Sequence, residues 1–124
     1  MSIKVLAVDD EDDVRRLIQI KLKKAGFEVI TAVNGEEGVE KCKAEKPDVV
    51  IIDWMMPKMD GPTLFRQMRL RPETKALPVV FITAKAAQRD LDELKSLGAA
   101  GTISKPFSPK DLPDQLRAIW KKLP

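Results

Sequence analysis

Residues 49–61 read VVIIDWMMPKMDG, and this stretch indicates the fold most strongly. The run from Val49 to Ile52 is apolar and β-branched, which predicts a strand buried on both faces of a parallel sheet. An acid, Asp53, follows the run at once, and Pro57 and Gly61 predict that the chain then turns away. A buried strand that ends on a carboxylate predicts a functional group held at the edge of a sheet.

Short apolar runs on either side of this stretch alternate with segments of helical period. We predict strands over residues 3–8, 27–32, 49–52, 78–83 and 99–104. Helices are predicted from the stripe Val14, Leu17, Ile18, Leu22 and Ala25, from the segment between the turn pair Asn34-Gly35 and Pro47, over residues 62–70 and 87–97, and from the stripe Leu112, Leu116, Ile119 and Leu123. A loop is predicted over residues 71–77, and Pro113 predicts that the last helix starts near Asp111 or Leu112.

Alternation of five strands with five helices predicts an α/β fold, because each pair of parallel strands needs a crossover connection. The expected architecture is a five-stranded parallel sheet of order 2-1-3-4-5, doubly wound by five helices in three layers. The chain of 124 residues is predicted to form a single domain over residues 1–124. Since the sequence stops just after the last helix, we expect no output domain.

Composition excludes several kinds of site. The chain has no His and one Cys, which excludes His-dependent triads, Cys/His dyads and ordinary zinc sites. The net charge of +3 is too small to predict direct binding of nucleic acid. The start of the chain resembles neither a signal peptide nor a membrane span, and the lone Cys42 fits a reducing compartment, so a cytoplasmic location is expected.

Reactive side chains collect where the predicted strands end. In the order 2-1-3-4-5, strands 1 and 3 are neighbours, so Asp9 and Asp10 are expected beside Asp53. Carboxylates brought together repel each other unless a cation answers them, and Mg²⁺ prefers oxygen ligands of this kind. Asp53 is the candidate nucleophile toward phosphorus; Thr83 ends strand 4 as a hydroxyl, and Lys105 follows strand 5 as a cation.

Each of these residues also has a plainer interpretation. The acidic run at residues 9–13 is by default a solvated loop that caps a helix, and Asp53 is an ordinary turn residue. Thr83 is an ordinary strand residue, and Lys105 an ordinary surface cation. The functional interpretation is favoured because all four elements lie at the carboxyl ends of four different predicted strands.

Four motifs in this order resemble the receiver domain of bacterial two-component response regulators over essentially the whole chain. They are VDDE at residues 8–11, IIDWMMPKMDG at 51–61, FITA at 81–84 and SKPF at 104–107. The resemblance implies a flavodoxin-like fold and a stand-alone signalling switch, similar to chemotaxis regulators, that is not an enzyme beyond its own phosphorylation and dephosphorylation.

The resemblance also implies roles for particular residues. Asp53 becomes the phosphoacceptor, Thr83 the switch hydroxyl and Lys105 the cation that contacts the phosphoryl group. For Mg²⁺, Asp10 and Asp53 are implied as ligands and Asp9 as one acting largely through water, with the Met55 carbonyl as a further contact.

The implied partners are a sensor histidine kinase or a histidine phosphotransfer protein as phosphodonor, and a downstream protein. The downstream protein is expected to bind the face formed by the fourth helix, strand 5 and the fifth helix, with the chain a monomer or a phosphorylation-dependent dimer. Two departures stand out. Thr102 replaces an aromatic residue that many receivers carry, and Met55 with Lys85 provides little to orient a hydrolytic water, which predicts a long-lived acyl phosphate.

Two other functions share features with this sequence. A haloacid-dehalogenase-like phosphatase would use the same nucleophile, but it needs a second acid two residues later, where Met55 stands. A phosphorylation-independent interaction module would keep the fold and would be expected to have lost some of the site residues, and none is lost. A fragment of a longer regulator would look the same in sequence.

Overall fold

The computed structural model describes residues 3–54, 61–83, 92, 95–96, 98–104 and 110–122. The strands are β1 (Lys4–Val8), β2 (Glu28–Ala32), β3 (Val49–Asp53), β4 (Val79–Thr83) and β5 (Gly101–Ser104). The helices with bounds in the described ranges are α1 (Asp12–Lys24), α2 (Gly35–Glu45), α3 (Gly61–Arg69) and the C-terminal helix (Leu112–Lys121).

All five strands pair in parallel in the order β2-β1-β3-β4-β5, which confirms the predicted topology and fold class. Each predicted strand exists, with ends that shift by one or two residues. β3 is the centre of the sheet and is buried at all five positions, as its β-branched sequence predicts for a strand covered on both faces.

Helices cover the two faces of the sheet, and alternate strand residues belong to different cores. Leu6 and Val8 lie in one core with α2 and α3, whereas Val5 and Ala7 lie in the other with α1 and the C-terminal helix. The period of two along β1 therefore divides a continuous apolar run between two helix layers. Three layers are the result, as predicted.

Three local features differ from the sequence prediction. Leu17 was assigned to the inward stripe of α1, but it is 36% exposed and lies at the margin of that face. Asn34, predicted only as part of a turn pair, also caps α2. Its side chain accepts a hydrogen bond from the Glu37 backbone N–H at 2.9 Å. The predicted loop over 71–77 is confirmed as a series of turns, but Thr74 within it is fully buried and donates to the Met68 carbonyl oxygen at 2.7 Å.

The predicted helix over residues 87–97 lies largely outside the described residues. Its described members Asp92, Lys95 and Ser96 are helical. The C-terminal helix begins at Leu112 with Pro113 in its first turn, where the missing N–H of proline costs nothing, so the late start predicted for it is confirmed. Within the described ranges, no helix is both long enough and apolar enough to cross a membrane.

Arg117 joins the C-terminal helix to the end of α1. Its guanidinium donates to the Ala25 carbonyl oxygen, which follows the last turn of α1, and lies over the Phe27 ring at 4.8 Å from the ring centre. Between these residues, Gly26 takes a positive φ of 98°, the usual glycine conformation just past a helix end. One side chain therefore satisfies a terminal carbonyl and covers an aromatic ring.

We expect Arg117→Ala to lower the free energy of unfolding by about 2 kcal/mol, since it removes a charged hydrogen-bond donor and a cation–π contact. Urea unfolding followed by circular dichroism measures the change. Lys121→Ala is the matched control, because it removes an exposed positive charge from the same helix and should shift stability by less than about 0.5 kcal/mol. Equal effects of the two substitutions would contradict the assigned role of Arg117.

Candidate functional site

The pairing of β1 with β3 brings three carboxylates to one edge of the sheet. Val8 lies opposite Ile52 in the sheet, and each is followed by an acid, Asp9 after β1 and Asp53 at the end of β3. The two acids therefore lie side by side. One carboxylate oxygen from each of Asp9, Asp10 and Asp53 lies within 4.8 Å of the other two. Asp9 is 1% exposed and Asp53 is 2% exposed, so these two charges are held away from bulk water.

The backbone and side chain of Asp9 are fixed by neighbours on different elements. Its N–H donates to the Ala32 carbonyl oxygen at 3.1 Å, which extends the β1–β2 pairing by one residue. Its Oδ1 accepts from the Glu11 backbone N–H at 2.9 Å, and its carbonyl oxygen accepts from the Arg15 guanidinium at 2.9 Å. Asp9 is thus tied to β2, to its own loop and to α1.

Asp10 provides the observation that bears most directly on a metal. Its Oδ1 atom is buried, and no hydrogen-bond donor reaches it from the described residues. A buried carboxylate oxygen without a donor costs free energy, and a cation would remove that cost. Three clustered carboxylates, with no nitrogen or sulfur ligand beside them among the described residues, suit a hard cation such as Mg²⁺, so the donor set fits the ion that the sequence predicts.

Asp53 ends β3, and the chain just beyond it is held on both sides. The Trp54 N–H donates to the Ile82 carbonyl oxygen at 3.0 Å, and the Trp54 carbonyl oxygen accepts from the Gly61 N–H at 3.0 Å. Gly61 lies so close that a Cβ atom there would stand 2.7 Å from the Asp53 carbonyl oxygen. Only glycine allows the first turn of α3 to approach the backbone of Asp53 in this way.

Other predicted site residues lie partly or wholly outside the described ranges. Thr83 ends β4 as predicted, but only its backbone is described. Lys105 and Met55 lie outside the described residues, as does Lys85. Thr102, which replaces an aromatic residue of many receivers, is described in β5 and is exposed.

Cys42 does not compete with Asp53 as a nucleophile. It lies in α2 at 2% exposure, inside the core that α2 and α3 share. Burial raises the pKa of its thiol to about 11, so the reactive thiolate is scarce at neutral pH. Its role is packing.

Two residues that support the site were not foreseen from the sequence, namely Arg15 and Gly61. An arginine in an amphipathic helix predicts an exposed charge, and nothing in its spacing indicates that it binds the carbonyl of Asp9. Gly61 was predicted as part of a turn, but its close approach to Asp53 depends on how α3 meets β3 in three dimensions.

Comparison with known proteins gives the class. The family described as "Response regulator receiver domain" matches residues 5–117. The chain belongs to this family. Its members are signalling proteins of two-component systems, phosphorylation-type switches rather than classical enzymes, and their partners include histidine kinases.

Solved structures of such regulators are similar throughout. The chemotaxis protein CheY4 of Vibrio cholerae superposes with a TM-score of 0.89 at 34% identity, covering 96% of this chain and 99% of that one. A protein of Chloroflexus aurantiacus described as a putative response regulator gives a TM-score of 0.86 at 33% identity, covering 98% and 100% of the two chains.

Curated relatives include longer transcriptional regulators. The alkaline phosphatase synthesis transcriptional regulatory protein PhoP of Bacillus subtilis is 38% identical over 98% of this chain and 50% of its own length. The phosphate regulon transcriptional regulatory protein PhoB of Rhizobium meliloti is 34% identical over 98% of this chain and 54% of its own length. The chain spans about half the length of the curated relatives it matches.

We expect Gly61→Ala to disturb the site, because the new methyl group would force α3 away from the Asp53 carbonyl oxygen. The variant should lose at least about 1 kcal/mol of stability and show an altered Trp54 emission spectrum. Urea unfolding and fluorescence measure the two effects.

Gly101→Ala is the control, since the three heavy atoms nearest to its Cβ all belong to the flexible side chain of Ile119, the first at 3.0 Å. Because the chain has two tryptophans, both variants are made in a Trp120→Phe background, where Gly101→Ala should leave the Trp54 emission unchanged. A Gly61→Ala protein with the parent spectrum and stability would contradict the close approach.

Proposed function

We propose that this chain is a switch that accepts a phosphoryl group on Asp53 in a Mg²⁺-dependent reaction. The donor is a phosphohistidine of a sensor histidine kinase or of a histidine phosphotransfer protein. The observation that supports this most is the cluster of Asp9, Asp10 and Asp53, with carboxylate oxygens within 4.8 Å of one another at the switch point of the sheet.

Each carboxylate has a distinct part in the proposed reaction. An oxygen of Asp53 forms a bond to phosphorus while the bond from phosphorus to the donor imidazole nitrogen breaks, and that nitrogen takes up a proton. Asp9 and Asp10 would hold the cation, which when bound neutralises charge on the phosphoryl oxygens. Burial of Asp53 at a strand end keeps the nucleophile in a fixed position.

Residues that the structure describes only in part or not at all complete the proposal. Lys105 contacts the phosphoryl group as a second cation, and the Met55 carbonyl is a further ligand to the metal. Thr83 is the hydroxyl that turns toward the phosphoryl group, since a phosphorylated carboxylate carries extra charge and strong acceptors. Movement of Thr83 would draw its loop with it and change the surface that a partner sees.

The output is proposed to be the binding of a downstream protein. The face is the one that β5 forms with the C-terminal helix and the predicted helix over 87–97. Thr102 is exposed on β5, so it contributes a small polar group to this face where many receivers place an aromatic ring. Size-exclusion chromatography with and without phosphodonor separates a monomer from a phosphorylation-dependent dimer.

Incubation with Mg²⁺ and acetyl phosphate or phosphoramidate should add one phosphoryl group, about 80 Da in intact mass. Asp53→Asn is the control and should gain nothing, because an amide is a poor nucleophile. Removal of Mg²⁺ by a chelator should abolish the gain.

Absence of a mass gain with both donors, in protein shown to be folded, would contradict the proposal. It would favour a phosphorylation-independent interaction module. Release of phosphate from a phosphate monoester over many turnovers would favour a phosphatase instead, since the proposed switch also releases phosphate from acetyl phosphate as its acyl phosphate hydrolyses.

The acyl phosphate is expected to be long-lived, because Met55 and Lys85 bring neither a carboxylate nor an amide to orient water. Met55→Asn should shorten the lifetime at least about fivefold, a small part of what a positioned polar group contributes to hydrolysis. Decay of the added mass after removal of the donor measures it. An equal or longer lifetime in the variant would refute this account.

A further inference from the structure

Arg15 lies on α1, one turn after the loop that carries Asp9 and Asp10. One terminal nitrogen of its guanidinium donates to the Asp9 carbonyl oxygen at 2.9 Å. The other pairs with the Asp12 carboxylate, three residues earlier on the same helix. The side chain of Arg15 is 16% exposed, whereas that of Asp12 is 81% exposed.

The two contacts differ in what they contribute. An ion pair with so exposed a partner as Asp12 adds little stability, because water screens it. The contact with Asp9 is partly buried and joins a charged donor to a backbone carbonyl, which is among the stronger kinds of hydrogen bond. The ion pair with Asp12 helps to hold the guanidinium in the orientation in which it binds the Asp9 carbonyl oxygen.

The acceptor in this contact is significant because of its position in the chain. The Asp9 carbonyl belongs to the peptide unit that joins Asp9 to Asp10, and a peptide unit is planar. On the other side, the Asp9 N–H is bound to Ala32 of β2. Because the N–H and the carbonyl oxygen of Asp9 are both hydrogen-bonded, the Asp9–Asp10 peptide plane has little freedom to rotate. The Asp10 Cα, from which the side chain extends, lies in that plane and is positioned with it.

The consequence concerns the Asp10 carboxylate. Its buried Oδ1 has no hydrogen-bond donor among the described residues, so within that part of the chain no hydrogen bond to that atom keeps the side chain beside Asp53. The described contacts that bear on its placement are those of the backbone that leads into it. Arg15 is the side chain that binds the peptide group immediately before it.

We propose that Arg15 is a positioning residue for the cation site, acting through the Asp9–Asp10 peptide to hold the Asp10 carboxylate facing Asp53. This inference rests on the proposed use of a Mg²⁺ ion by this site. It predicts that the planar fork of arginine is needed, because a lysine keeps the charge but cannot bind the Asp9 carbonyl and the Asp12 carboxylate with two parallel donors.

The test is a Mg²⁺ titration of the full chain and its variants, followed by Trp54 fluorescence and repeated by calorimetry. Arg15→Lys and Arg15→Met should each bind Mg²⁺ about tenfold more weakly, the lower end of the usual loss when a residue that supports a metal ligand is removed. Arg16→Gln is the matched control for Arg15→Met, since it removes an equal charge from an exposed neighbour on α1 and should change affinity less than about twofold.

A second readout separates positioning from general stability. Phosphorylation by acetyl phosphate should be slow in Arg15→Lys at low Mg²⁺ and should approach the parent rate as Mg²⁺ is raised, because only cation affinity is impaired. A defect in Arg15→Lys that saturating Mg²⁺ leaves unchanged would overturn the proposal. If Arg15→Met fails to fold, Arg15→Lys decides the question, with unfolding measured in the absence of Mg²⁺.

The remaining outcomes distinguish this inference from the proposed function. Parent affinity in Arg15→Lys, or an equal loss in Arg16→Gln, would overturn the role of Arg15 even if the parent is phosphorylated normally. A parent that binds Mg²⁺ but gains no phosphoryl group would contradict the proposed function and leave the result for Arg15 standing. A parent that binds no Mg²⁺ would overturn both.

Discussion

The lateral pairing of β1 with β3 is the constraint on which the site depends. Val8 lies opposite Ile52, and both belong to the same buried core, so the register is fixed by close packing on each face. The acids that follow must then lie side by side, whatever their mutual repulsion. A slip of one residue would turn every buried side chain of the strand toward the wrong helix layer. The apolar cores thus hold together carboxylates that would otherwise separate.

The parts of this arrangement that sequence could predict are those governed by short periods and by topology. The β-branched run before Asp53 predicts a central strand, and five such runs with crossovers limit the strand order to few solutions. Once strands 1 and 3 are neighbours, the meeting of Asp9, Asp10 and Asp53 follows without knowledge of any side-chain conformation. The structure contains that cluster.

The features that could not be predicted depend on the tertiary contacts of single residues, which the local sequence pattern does not determine. Leu17 fits a helical stripe, but one position in such a stripe falls at the margin of the buried face, and packing decides which. Thr74 lies in a stretch that predicts a loop, yet it is fully buried and its hydroxyl is satisfied by the Met68 carbonyl oxygen. Arg15 and Gly61 belong to the same class, because each acts on backbone distant from its own local pattern.

The site also contains groups whose burial opposes folding. A buried Asp10 oxygen with no donor in the described structure, beside two further carboxylates, opposes folding when no cation is present. The two cores of β-branched and aromatic side chains tolerate that cost, with Trp54 next to the site held edge-on by Phe81 at 5.6 Å. A ligand that binds only the assembled carboxylates recovers part of the same free energy. The repulsion among the carboxylates, which lowers stability when no cation is bound, is therefore also the source of their affinity for a cation.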